Sequence, residues 1–170
     1  TPYVLVDTLR TFPVALMGAA FPAFAASHRH DPARTVRLFE RTLGAVFVVL
    51  FPIALLLVVF SREILTLWLG AEFAQVSAVL MRLITVSVFL SCLGRVPFAL
   101  LQGVGRADLT AKLHLVELPT YAVLLVWLTR AYGPIGVAAC TSIRALVHLV
   151  ALLALSRRVM PPPAGTSSPA

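Results

Sequence analysis

Residues 43–60 read LGAVFVVLFPIALLLVVF, eighteen positions without a charged side chain. A helix needs about 20 mostly apolar residues to cross the hydrocarbon core of a bilayer. Extended back to about Leu38, this stretch meets that length. A helix on the surface of a soluble protein keeps one polar face. Here all faces are apolar, so the segment reads as a membrane span whose surroundings are lipid.

The rest of the chain carries the same signature. Of its 170 residues, 59% are hydrophobic and 12% are charged, and the mean hydropathy is +0.94. Soluble domains carry about 25% charged residues. A domain of this size leaves much of its surface outside the core, so such an apolar excess has nowhere to hide in water. The net charge is +7, from 14 basic and 7 acidic residues. Nucleic-acid binding gathers basic residues into a patch among polar neighbours. These arginines are instead spread between apolar blocks and read as loop charges, so no nucleic-acid partner is expected. Cys92 and Cys140 lie inside apolar runs without metal or redox spacing and read as packing residues. The sequence starts at Thr1 with no charged segment ahead of an apolar run. No signal peptide is visible, and the chain reads as part of a longer one.

Working outward from 43–60, five spans are expected, at about residues 3–26, 38–60, 77–101, 113–128 and 135–155. Pro13 and Pro22 are expected to kink the first, which a membrane bundle tolerates when neighbours satisfy the freed carbonyls. A polar loop, SHRHDPARTVR (27–37), follows it. SREILTLWLGAEF (61–73) is too short and interrupted to span. Ile64, Leu65, Trp68 and Leu69 form one stripe, Gly70 reads as a stop, and the segment reads as a short interfacial helix anchored by Trp68. QGVGRADLTAK (102–112) reads as a polar loop. Glu117 and Pro119 interrupt the fourth span. TRAYGPIG (129–136) reads as a tight turn broken at Gly133 and Pro134. The Pro- and Ser-rich tail, 159–170, is expected to be disordered. The fold class is therefore all-α, an integral membrane bundle of about five helices plus one interfacial helix.

Loop charges give an orientation. The odd-numbered connections carry Arg29, Arg34, Arg37, Arg41, Arg106, Lys112, Arg157 and Arg158, and the even-numbered ones Arg62 and Arg130. Basic residues favour the cytoplasmic side, which places the first loop, the third loop and the tail inside.

Charges within spans are costly and normally face a bundle interior or a watery cavity. Asp7 and Arg10, three apart on one face, form either an ion pair near the interface or a cavity-lining pair. Arg82 lies near a helix end, where snorkelling to the headgroups accounts for it. Arg95 either lines a cavity or reaches the inner headgroups. Arg144 sits deep in GVAACTSIRALVHLVALL (136–153), among small neighbours that permit close helix contact. The tight turn brings the fourth and fifth spans together as antiparallel neighbours, so Glu117 is the expected partner of Arg144. That pair serves either structure or function. His114 and His148, one turn away, either extend a polar cluster or sit near the cytoplasmic interface. No metal-spaced His/Cys cluster, paired-carboxylate loop or Ser–His–Asp arrangement appears, and GVGRAD (103–108) follows a span rather than a strand. No catalytic residue, metal or cofactor is expected.

Three blocks, in order, carry a family resemblance: TFPVALMGAAFPAFAA (11–26), EILTLWLGAEF (63–73), and LLQGVGRADLTAKLHLVELPTYAVLLVWLTRAYGPIGVAACTSIR (100–144). The last is the most specific. The chain up to Arg158 resembles the C-terminal portion of polysaccharide and O-antigen flippases. These belong to the superfamily that includes multidrug-and-toxin exporters and the peptidoglycan-precursor flippase. The resemblance implies two helical bundles around a central cavity, with residues 1–158 supplying most of the second and an N-terminal bundle of the same protein supplying the first. It implies a multi-pass protein of the inner (plasma) membrane. Its implied activity is flipping a polyprenyl-diphosphate-linked oligosaccharide to the outer leaflet, alongside polymerase or glycosyltransferase partners. Arg10, Arg95 and Arg144 are then candidates for the diphosphate, because guanidinium presents a planar donor fork to phosphate. Asp7 and Glu117 are candidates for a coupling ion or for neutralising an arginine. A drug exporter would favour carboxylates over buried arginine. A membrane enzyme would need a large external loop with catalytic groups, and the external connections here are short. A non-catalytic scaffold subunit is the remaining alternative.

Overall fold

A computed structural model describes Phe24 and residues 32–160. Four helices follow one another: α1 (Pro32–Val59), α2 (Ser61–Leu69), α3 (Ala71–Gly103) and α4 (Ala107–Val159). No strand occurs among the described residues. The expected first span with Asp7 and Arg10, Phe24 apart, lies outside the described residues, as does the tail from residue 161 onward.

Two expected loops are shorter than their polarity implied. Residues 32–37, assigned to the first loop, form the opening turns of α1. Pro32 stands at the first helical position, where its missing N–H costs nothing and its fixed φ already suits a helix. The 102–112 loop contracts to Val104–Arg106, because α4 begins at Ala107. Asp108 in its first turn favours the positive end of the helix dipole. Buried Thr110 donates to Ala107 O at 2.9 Å and accepts from Gln102 Nε2 at 3.0 Å, tying the end of α3 to the start of α4. Val159, placed in the tail by sequence, is the last residue of α4.

Straight, the 53 residues of α4 would run about 80 Å. They do not run straight. Gly133 has φ 58° and ψ −137°, outside the helical region, and the chain reverses there. Residues 117 and 144, some 40 Å apart along an unbroken helix at about 1.5 Å per residue, have side chains 3.4 Å apart. The helix is therefore a hairpin of two antiparallel limbs, residues 107–132 and 134–159. The limbs meet so closely at the apex that a Cβ on Gly136 would stand 2.0 Å from Leu128 O. The break falls where the Gly-Pro pair predicted it. Glu117 and Pro119 do not break the first limb, and the Thr120 hydroxyl donates to Val116 O at 3.1 Å in the proline's turn.

Among the described residues, three helices are long and apolar enough to cross a membrane: Ala33–Val59, Ser77–Gly103 and Ala107–Val159. Each limb of the third measures about 39 Å, itself enough for the hydrocarbon core. The helix α3 is central, packed mainly on the α4 hairpin and also on α1 and α2. The core joins Phe24, Phe39, Val46 and Leu50 to Cys92, Leu93, Val96, Leu100 and Leu149. Phe47, Phe51 and Phe89 add an aromatic cluster between α1 and α3. The outer faces are apolar too: Val48, Leu115 and Val123 are each about 70% exposed. Water would not tolerate so continuous a patch. The stop at Gly70 ends α2 as expected. Arg82, expected to snorkel, directs its Nε to the hydroxyl of fully buried Ser61 at 2.8 Å, fastening the start of α2 to α3.

Candidate functional site

The hairpin assembles a polar cluster that neither limb could hold alone. On the first limb, His114, Glu117 and Tyr121 are spaced three and four apart and share a face. On the second, Arg144 and His148 are four apart. Folding at Gly133 lays these faces together. Glu117, with an 11% exposed side chain, is the centre. Its Oε1 lies 3.4 Å from Arg144 Nη1, and its Oε2 lies 2.8 Å from His148 Nδ1 and 3.7 Å from His114 Nδ1. The two imidazoles stack at 5.1 Å. The Arg144 guanidinium rests over the Tyr121 ring, 5.0 Å from its centroid, a cation–π arrangement. Arg144 Nε is buried without a hydrogen-bond partner among the described residues.

Sequence reasoning expected Glu117 to meet Arg144, and the two do meet. His148 is the nearer partner, and of the two roles open to the histidines the structure gives the polar cluster. The Tyr121 contact was missed, although its spacing from Glu117 was there to be read. Sequence spacing showed no metal motif, yet donor atoms of His114, Glu117 and His148 lie within 4.8 Å of one another.

Arg144 also faces a second space. A cleft of about 660 Å³ runs between α3 and the hairpin. The α3 wall is one helical face, with Ile84, Ser87, Ser91 and Arg95 at successive turns. The second limb contributes Val137, Thr141 and Arg144, and the first limb adds Thr129. The Ser142 hydroxyl bridges these walls, lying 2.8 Å from Leu83 O and 2.9 Å from Ala138 O. Arg95 and Arg144 thus line one cleft together, with four hydroxyl-bearing residues around them. Arg144 lines a smaller cleft of about 320 Å³ as well, beside His114, Glu117 and Tyr121. The remaining candidates, Arg10 and Asp7, lie outside the described residues.

Two arginines and four hydroxyl-bearing residues thus stand along an otherwise apolar cleft. The chain is similar to the "Putative O-antigen transporter" of Shigella flexneri. Over 158 residues, 93% of the chain, the two are 27% identical. The chain spans 37% of that protein's length. No family model matches, and no solved structure matches. The likeness supports a family of O-antigen transporter type. With its membrane-length helices, the chain is a multi-pass membrane protein.

Proposed function

We propose that this chain forms the C-terminal part of a flippase for lipid-linked oligosaccharide. In this reading five segments cross the inner membrane: one within residues 3–26, then α1, α3 and the two limbs of α4. The tail is cytoplasmic. A second helical bundle from the same protein closes the cavity, and alternating access carries a polyprenyl-diphosphate-linked sugar from the cytoplasmic to the outer leaflet. The protein is a transporter in this account and catalyses no bond change.

The observation that carries the proposal is the pair Arg95 and Arg144 on one cleft. A diphosphate loses its hydration on leaving the headgroup region, and paired guanidinium groups replace that water with charge-assisted hydrogen bonds. The hydroxyls of Ser87, Ser91, Thr129 and Thr141 supply donors and acceptors for sugars. The apolar remainder accepts the polyprenyl chain. Glu117 holds Arg144 in place between turnovers, so that the guanidinium is positioned before the anion arrives.

The test is movement of a fluorescent lipid-linked oligosaccharide across proteoliposomes containing both bundles. Replacing Arg95 and Arg144 together by Gln is expected to slow flipping at least tenfold, with lysine at both positions restoring part of it. A double Gln variant that folds and flips at the wild-type rate would overturn the proposal. So would transport of organic cations with no movement of the lipid-linked sugar.

A further inference from the structure

From the geometry of the hairpin we infer a site for a divalent transition metal of the zinc class, formed by His114, Glu117 and His148. Two imidazole nitrogens and one carboxylate oxygen are a donor set that suits Zn²⁺, which commonly takes three protein ligands and leaves a fourth position open. Tetrahedral bonds of about 2.0–2.1 Å set donors about 3.3 Å apart. The donors at Glu117 lie 2.8 and 3.7 Å from its Oε2, on either side of that spacing. All three donor atoms lie within 4.8 Å of one another, so side-chain rotation can draw them into a coordination sphere. His114, with a 53% exposed side chain, has room to rotate.

The two oxygens of Glu117 divide the work. Oε2 faces both histidines, while Oε1 faces Arg144. A metal on the Oε2 side leaves the arginine contact in place, and Arg144 becomes the partner that orients a ligating carboxylate. Ligation through Nδ1 uses the His148 tautomer that carries its proton on Nε2, which leaves the Nδ1 lone pair for the ion. The smaller cleft, lined by His114, Glu117, Leu118 and Tyr121, borders the cluster and gives a further ligand, water or an anion, room to approach. Because two donors come from one limb and the third from the other, the metal clips the open half of the hairpin together.

The donors are the same whatever the chain transports, and the test requires no transport. Metal-stripped protein, purified in detergent without a histidine tag, is titrated with Co²⁺ and followed by visible ligand-field absorption. Zn²⁺ affinity is then measured by chelator competition. The wild type is expected to bind one equivalent with tetrahedral Co²⁺ bands and to melt at higher temperature with Zn²⁺. His114→Gln, on the most exposed ligand, and Glu117→Gln are each expected to weaken Zn²⁺ binding at least tenfold. A His28→Ala/His30→Ala variant removes the other two histidines of the chain and is expected to bind as wild type. Failure of the wild type to bind micromolar Zn²⁺ would overturn the site. Unchanged affinity in both His114→Gln and Glu117→Gln would do so as well, and so would binding that depends on His28 and His30 alone.

Discussion

Adding one methyl group to each of three glycines tests whether the hairpin is built as described. At Gly136 a Cβ would meet Leu128 O at 2.0 Å and Leu128 C at 2.6 Å. Both are backbone atoms and cannot rotate away. Restoring even a 3.0 Å contact from 2.0 Å forces the limbs about 1 Å apart at the apex. Forced overpacking of this kind costs about 1–3 kcal/mol. At Gly94 the nearest atoms, His148 Cδ2 and Leu152 Cδ1, stand at 3.9 Å, an ordinary contact. At Gly44 nothing lies within 4 Å. There alanine brings only its better helix propensity, worth up to about 1 kcal/mol. Gly136→Ala should therefore destabilise, whereas Gly94→Ala and Gly44→Ala, both in helix interiors with room for a methyl group, should each stabilise slightly. The first and last should differ by about 1–4 kcal/mol. For a chain of this length each kcal/mol moves the melting temperature by roughly 2–4 °C. The assay is thermal unfolding of detergent-solubilised protein, followed by the loss of helical circular dichroism. If Gly136→Ala melts no lower than Gly44→Ala, the limbs do not approach as described and the hairpin is wrong.

Two further outcomes are expected. Reporter fusions at Gly105 should read cytoplasmic and fusions at Tyr132 external, since the hairpin puts these turns at opposite ends; the reverse pattern would sink the orientation drawn from the loop arginines. Ser61→Ala should cost about 1.5–3 kcal/mol in chemical or thermal unfolding, because it removes a buried hydroxyl that accepts from a charged guanidinium, and an equal loss in an Arg82→Met background would show that this hydrogen bond is not the cause.

What the sequence made legible was set by the kind of signal each feature leaves. Apolar runs located the membrane helices, and Gly133-Pro134 located the reversal, because both are local in sequence. Helix ends were harder. Hydropathy marks where lipid stops, whereas a helix continues into water as readily as polar residues allow. That is why α1 begins at Pro32 and α4 at Ala107 rather than at the expected 38 and 113. The Glu117–Arg144 contact could be counted from the turn only to within the reach of an arginine, since Glu117 lies 16 residues and Arg144 11 residues from Gly133, about 24 and 17 Å along their limbs. His148, 15 residues from Gly133, stands at nearly the depth of Glu117, and whether it faces Glu117 depends on how the limbs rotate about their axes. The three donors at His114, Glu117 and His148 lie too far apart in sequence to form a linear motif. Only the fold brings them within reach of one ion. Arg95 was left between two roles by sequence, and its place on the same cleft as Arg144 depends on how α3 faces the hairpin.

The hairpin also bears on how the protein is made. Ribosomes deliver Glu117 first; Arg144 follows 27 residues later and His148 31 residues later. A first limb entering lipid alone would carry an unmatched carboxylate, and an acidic residue at mid-helix opposes insertion by about 2.5–3.5 kcal/mol. A second limb alone would carry an unmatched guanidinium at comparable cost. Entered as one folded unit, each limb cancels the other's charge before either meets hydrocarbon. The hairpin that turns at Gly133 is therefore a cheaper unit to place in lipid than either limb alone, because Glu117 and Arg144 lie 3.4 Å apart across it.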